Sequence, residues 1–192
     1  MAKLYFKYGA MGSSKTAQAL ITKFNYEEKG MKVWLLKPAA DMRDGIALLR
    51  SRIGLSCPAE ILPEDASVLE RMKKKEHFDV ILVDECQFLA PEQVDELREI
   101  VDFYDIPVLC FGLRTDFRTR FFPGSRRLME LADSITEIKT ICYCGSKATV
   151  NARIIEGKVT TSGEQVVLGG NETYSAMCHK CWLERIRREA EG

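Results

Sequence analysis

The sequence predicts an α/β fold built on a parallel sheet, and three observations carry that expectation. Short apolar runs alternate with amphipathic segments of helical period. One run, Val80-Ile81-Leu82-Val83, is apolar at every position, as in a strand covered on both faces. A glycine- and serine-containing loop stands between the first strand and the first helix.

The elements follow in order. Residues 3–8 read as a short strand rich in aromatics. Residues 16–29 read as a helix with Ala17, Leu20, Ile21 and Phe24 on its inner face, stopped by Gly30. Residues 32–37 contain Val33-Trp34-Leu35-Leu36, a buried strand ended by Pro38. Residues 66–75 predict a helix and residues 80–83 a strand. Pro91 opens the next helix at a favoured first-turn position, with Val94, Leu97, Val101 and Tyr104 as its inner stripe. Residues 107–112 form another buried strand. This α/β part spans residues 1–139. After Thr140 the texture changes: residues 140–192 hold four of the seven cysteines, a strand-like piece at 164–168 and a charged helix at 182–190. They predict a small second domain.

Composition narrows the function classes. A chain of 192 residues can bury a core without disulfide staples. Its 28 basic and 28 acidic side chains cancel, so no overall field draws it to nucleic acid or anionic lipid, although a local basic groove stays open. The first residues lack the apolar core and cleavage site of a signal peptide, and the apolar runs are too short to span a bilayer. The expectation is a cytoplasmic protein with no membrane partner. In that reducing compartment seven cysteines call for an explanation other than disulfides.

The loop Gly9-Ala10-Met11-Gly12-Ser13-Ser14-Lys15-Thr16 approximates G-x-x-x-x-G-K-[ST]. That pattern aims backbone N–H groups and a helix N-terminus at phosphates. Lys15 would hold the β/γ-phosphates, and Thr16 would offer a hydroxyl to Mg²⁺. Ser14 departs from the pattern, which has glycine there, and serine takes positive φ less freely. The bland reading is a serine-capped strand-to-helix turn. Asp84 and Glu85 follow the apolar strand at 80–83. An acid at that strand end can support Mg²⁺, and a second can act as general base. Solvated loop acids also occur there, so each motif is weak alone and their conjunction carries the weight. Together they specify an α/β fold of the P-loop NTPase type, a parallel sheet with helices on both faces. Asp41 and Arg43 lie in a third charged loop at the same sheet edge, where Arg43 could bridge phosphates and Asp41 support the metal through water, or both could be solvated. No [NT]-K-x-D motif is present, which counts against a GTPase.

Cys142-Tyr143-Cys144 and Cys178-His179-Lys180-Cys181 form two close pairs. Four such thiolates make a tetrahedral Cys₄ zinc site with no position left for substrate, hence a structural one. The C-x-C pair is one residue short of the usual spacing, and His179 reads as a bystander. Residues 113–124 add a loop with Phe117, Phe121 and Phe122 among arginines. The rings can be core residues under the loop, can stack on a planar base, or can serve nucleic acid. A nucleic-acid-binding P-loop ATPase with a zinc ribbon is therefore the alternative reading, opposed by zero net charge and small size.

The set of motifs resembles the type II thymidine kinase family, the zinc-containing, tetrameric kind, in its bacterial branch. The likeness covers the phosphate loop, residues 37–43, Asp84-Glu85-Cys86-Gln87-Phe88, Gly112-Leu113-Arg114-Thr115-Asp116-Phe117, and Gly169-Gly170-Asn171-Glu172-Thr173-Tyr174 leading into Cys178. The resemblance implies a kinase that phosphorylates the 5′-hydroxyl of thymidine from ATP with Mg²⁺, with Glu85 as general base. It puts Asp84 and Gln87 on the metal and phosphate side. It puts Met11, Phe88, Leu113, Phe117 and Phe122 around the base. Tyr174 belongs to a lasso loop that closes over the nucleoside, and Val166, Val167, Leu168, Gly169 and Gly170 hold the thymine edge through their backbone. It also implies a homotetramer and feedback inhibition by dTTP. The expected architecture is thus a P-loop sheet plus a small C-terminal zinc-knuckle and lasso domain.

Overall fold

Side chains alternate along each central strand between two apolar clusters, and that alternation builds the layers. In this computed structural model, which describes residues 1–40, 47–165 and 173–191, six parallel strands form one sheet. They are β1 (Leu4–Tyr8), β2 (Val33–Pro38), β5 (Glu60–Leu62), β6 (Val80–Val83), β7 (Val108–Gly112) and β8 (Ser134–Glu137). Their order is β5-β2-β6-β7-β1-β8. Between β2 and β5 a two-stranded hairpin pairs β3 (Leu48–Arg50) with β4 (Ser56–Pro58).

Leu4, Phe6, Trp34, Leu36, Ile81, Val83, Val108 and Cys110 face one side. There they meet Val68 and Met72 of α2 (Val68–Lys73), Val94, Leu97, Ile100 and Val101 of α3 (Pro91–Tyr104), and Leu128 of α4 (Pro123–Leu131). Leu35, Val80, Leu82, Leu109 and Phe111 face the other, against Ala19 and Leu20 of α1 (Lys15–Glu27). The expected parallel sheet with helices on both faces is observed.

Two expected inner stripes need correction. In α1, Ile21 is 48% and Phe24 62% exposed, while Lys15, Ala17, Ala19 and Leu20 are buried. At 100° per residue the buried face sits roughly a quarter turn from the predicted one. The cause is at the N-terminus: Lys15 turns into the phosphate loop and Thr16 toward β6, and these fix the rotation of the whole helix. In α3, Ile100 takes the buried position and Tyr104 is exposed at the helix end. The α4–β8 unit, unassigned from sequence, completes the sheet edge.

Residues 140–191 hold a third apolar cluster of their own, including Cys142, Ala148, Val150, Ala152, Met177, Cys181 and Trp182. It lies on a three-stranded antiparallel sheet of β9 (Val150–Ile155), β10 (Lys158–Thr160) and β11 (Thr173–Met177), followed by α5 (His179–Glu191). The strand expected at 164–168 is not found in its described part: Glu164 and Gln165 lie outside any strand. Among the described residues, no helix is long and apolar enough to cross a membrane.

Candidate active site

The carboxyl ends of β1, β6 and β7 lie side by side in the sheet, so the loops leaving them converge. The first is the phosphate loop. At Gly9 a Cβ would collide with the carbonyl of Ile138 and with the Ser13 side chain, so only glycine fits. Ser14 adopts φ 62°, ψ 25°, the left-handed conformation that glycine takes without strain. The Lys15 side chain is buried, its Nζ donating to Ala10 O at 2.9 Å and to Ser13 Oγ at 3.3 Å. The lysine thus spans the loop from within. A left-handed serine costs about 1–2 kcal/mol. Glycine returns about 0.5–1 kcal/mol of that through a freer unfolded chain. Ser14→Gly is therefore expected to raise the melting temperature by about 1–4 °C. A lowered value in a calorimetric scan would show that Ser14 is held by contacts worth more than its strain.

The second loop follows β6. Asp84 is 1% exposed, and its Oδ2 accepts from Thr16 Oγ1 at 2.8 Å. Its Oδ1 is buried with no hydrogen-bond partner. Burial first, and the neighbouring charge of Glu85 second, push the Asp84 carboxyl up to about 7. A buried carboxylate oxygen without a donor, next to a hydroxyl, fits the oxygen-donor set of a Mg²⁺ held with ATP phosphates. Glu85 takes φ 52°, ψ 38°, again left-handed, before a single 3-10 turn at Cys86–Phe88. Backbone strain of this kind costs on the order of 1–3 kcal/mol and persists where surrounding structure enforces it.

Gln87 supplies that enforcement. It is buried, donates from Nε2 to Glu85 Oε2 at 2.6 Å, and accepts at Oε1 from Leu113 N at 3.0 Å. These contacts place Gln87 between Glu85 and the loop after β7. A Cβ at Gly112 would lie 2.6 Å from Gln87 Oε1, so the glycine makes room for this amide.

The third loop carries the phenylalanines. Leu113, Phe117 and Phe122 are buried, Phe121 is 44% exposed, and Phe88 meets Phe122 edge-on at 5.7 Å between centroids. Two of the three loop rings are therefore core residues and not a surface stacking platform. Arg118 is paired with Asp116 at 3.3 Å. One of the arginines that motivated the nucleic-acid reading is thus engaged within the loop itself. Met11, half-buried, borders the same region, its N–H donating to Asn151 Oδ1 at 2.7 Å.

The four cysteine sulfurs of Cys142, Cys144, Cys178 and Cys181 lie within 4.8 Å of one another, a cluster that can hold a metal ion. The Cys144 and Cys178 sulfurs are 3.7 Å apart. A tetrahedral zinc with Zn–S near 2.3 Å has sulfur–sulfur edges of about 3.8 Å, so the donor set fits zinc. The short C-x-C pair is accommodated by a tight turn, Gly145 N donating to Cys142 O and Cys142 N to Ser146 O.

Sequence reasoning missed three residues here. Asn151 joins the phosphate loop to the third loop, its Nδ2 donating to Thr115 O at 3.0 Å. Asp116 is buried and accepts from the N–H groups of Arg118 and Arg120. Arg153 is buried and donates from Nε to Tyr174 Oη at 2.8 Å. Of these, only Asp116 stood in a quoted motif. Asp41, Arg43, Val166, Val167, Leu168, Gly169 and Gly170 lie outside the described residues.

Residues 2–182 match the family described as thymidine kinase. The thymidine kinase of Escherichia coli (strain K12) is 44% identical over 191 residues, covering 97% of this chain and 93% of that protein. That of Shewanella oneidensis is 45% identical over 190 residues, covering 97% and 99%. That of Yersinia pestis is 45% identical over 192 residues, covering 97% of each. A solved structure of a DNA replication initiation factor aligns with a TM-score of 0.39 at 14% identity, over 71% of this chain and 40% of that one, too slight a likeness to carry argument. The phosphate loop, the acid pair, the aromatic loop and the cysteine cluster thus stand in a chain that belongs to the thymidine kinase family.

Proposed function

We propose that this chain transfers the γ-phosphoryl group of ATP to the 5′-hydroxyl of thymidine, giving dTMP for pyrimidine salvage. One observation carries the mechanism. Asp84 and Glu85 are adjacent, yet Asp84 bonds the phosphate-loop Thr16 while Glu85 bonds Gln87, which holds Leu113 of the aromatic loop. Donor and acceptor loops meet at one strand end.

Residues 9–16 bind the ATP phosphates, with Lys15 offsetting charge on the transferring group and Arg43 assisting. Thr16 and Asp84 would hold Mg²⁺, which when bound with ATP draws charge from the phosphates. Asp41 would support that site. Glu85 accepts the proton of the 5′-hydroxyl, and Gln87 keeps its carboxylate aimed. Met11, Phe88, Leu113, Phe117, Phe122 and Tyr174 surround the base, and backbone groups of Val166, Val167, Leu168, Gly169 and Gly170 meet its edge. Because phosphoryl transfer needs little covalent help, positioning supplies most of the rate.

Zinc on Cys142, Cys144, Cys178 and Cys181 is structural, since four thiolates fill its tetrahedron. The chain divides into a nucleotide-binding part, 1–139, and a zinc and lasso part, 140–192, each with its own apolar cluster. A cytoplasmic homotetramer inhibited by dTTP completes the reading, on the family resemblance.

The test is a kinase assay with ATP and Mg²⁺ across the nucleosides, on zinc-replete protein. Thymidine phosphorylation is expected. Its absence would overturn the proposal. For the metal, about one zinc per chain is expected by elemental analysis. Cys181→Ala should lower zinc retention and destabilise residues 140–192, because metal binding and folding are one event in such a site. Freshly purified wild-type protein without zinc would refute the assignment.

A further inference from the structure

We propose that Arg153 is a positioning residue for the nucleoside: it ties the loop backbone at Glu164 and Gln165 to Phe117 and Tyr174, and so sets thymidine affinity independently of the phosphate donor. The inference rests on the reading above, which puts Phe117 and Tyr174 beside the base.

Arg153 is 1% exposed, in the middle of β9. A buried core position is held at least cost by an apolar side chain, and burying a guanidinium is costly unless its donors and its face are all engaged. Here they are. Nε donates to Tyr174 Oη at 2.8 Å. One terminal nitrogen donates to Glu164 O at 2.8 Å and the other to Gln165 O at 3.1 Å. The guanidinium carbon stands 3.7 Å above the centroid of Phe117 and 5.4 Å from that of Tyr174. The planar fork therefore does three things at once: it stacks on one ring, bonds a second, and clamps two consecutive carbonyls. A lysine ammonium has no plane to stack and no fixed fork.

The surroundings reinforce this arrangement. Arg153 and Tyr174 are direct partners in the β9–β11 register, so the backbone itself sets their pairing. Gln165 is held from a second side, its Nε2 donating to Asp116 Oδ2 at 3.0 Å. Asp116 is in turn fixed by the N–H groups of Arg118 and Arg120. Phe117, the ring beneath the guanidinium, is the next residue in the chain. Everything Arg153 engages by these contacts is on the acceptor side. The phosphate loop contacts this small sheet elsewhere, through Asn151.

Arg153→Lys and Arg153→Met separate positioning from plain scaffolding. Both are made in the full, zinc-loaded chain, with zinc content and thermal melting checked first. Steady-state kinetics are then run against thymidine and against Mg·ATP. The expected result is a thymidine KM raised at least about tenfold in the lysine variant and further in the methionine variant, with the ATP KM within about twofold. Calorimetric titration with thymidine alone should show the same loss. Tyr174→Phe, which removes the Nε acceptor, should add less to Arg153→Lys than it costs in the wild-type chain. A thymidine KM that stays within twofold, or an ATP KM that rises in step, would overturn the proposal in favour of a scaffold role. So would failure of both variants to fold. Wild-type protein that does not phosphorylate thymidine would instead overturn the underlying function, and this inference with it.

Discussion

Glu85→Gln is expected to lower kcat for thymidine phosphorylation by about 10²–10⁴, the range for loss of a general base, with both substrates still binding. The substitution isolates the proton. Glutamine has the same length and the same number of heavy atoms, and it suffers the same left-handed backbone that Glu85 already adopts at φ 52°. Its amide oxygen can still accept the bond that Gln87 Nε2 now donates to Glu85 Oε2 at 2.6 Å. Gln87 therefore stays in place, and with it the bond to Leu113 N. What is lost is a group able to take the proton from the attacking hydroxyl. Thymidine and ATP dissociation constants measured separately should change by no more than a few-fold. If turnover remained near the wild-type value, Glu85 would not be the base. If both affinities collapsed as well, the residue would be an organiser of the loops.

Much of this site was legible because its residues are dictated by local rules. Lys15 and Thr16 open the helix after the phosphate loop, Asp84 and Glu85 follow a strand end, and the structure brings Thr16 and Asp84 to 2.8 Å. The four cysteines were legible from spacing alone, and their sulfurs converge. The central strands were legible because burial on both faces leaves apolar runs. The edge strand β8 was not: Ser-Ile-Thr-Glu, with Ile135 and Thr136 exposed, shows no such run. The rotation of α1 was misread because the hydrophobic pattern competes with the demand that Lys15 face the loop, and the loop wins. Asn151 and Arg153 were invisible for a different reason. Their roles come from tertiary contacts, Asn151 with Met11 and Arg153 with Tyr174, that belong to no spacing motif.

The conflict inside the acid pair leads to the other large effect. Asp84 is buried, carries one unpartnered oxygen, and neighbours the charge of Glu85. Its carboxyl is raised from 3.8 to about 7, so the native state holds that proton more tightly than the unfolded chain does. The sign follows. Stability from this group is fully present below about pH 3.8 and is lost as pH rises through about 7. Wild-type protein without ligand should therefore weaken between pH 5 and 8, and Mg·ATP binding should strengthen over the same interval, because the metal needs the ionised form. Asp84→Asn cannot ionise. Its amide oxygen can keep the bond from Thr16, and its unpaired N–H costs less than a buried charge. At pH 8 the variant should be more stable than wild type by about 2 kcal/mol, or roughly 4–8 °C in melting temperature. Turnover should fall by at least about 10² for want of a metal ligand. Melting curves at pH 5, 7 and 8, with and without Mg·ATP, test both halves. A wild-type melting temperature flat across that range would contradict the account, as would an Asp84→Asn chain less stable than wild type at pH 8. The reciprocal pattern, a more stable protein and a much slower enzyme from one atom's exchange, is what a site strained for a cation requires.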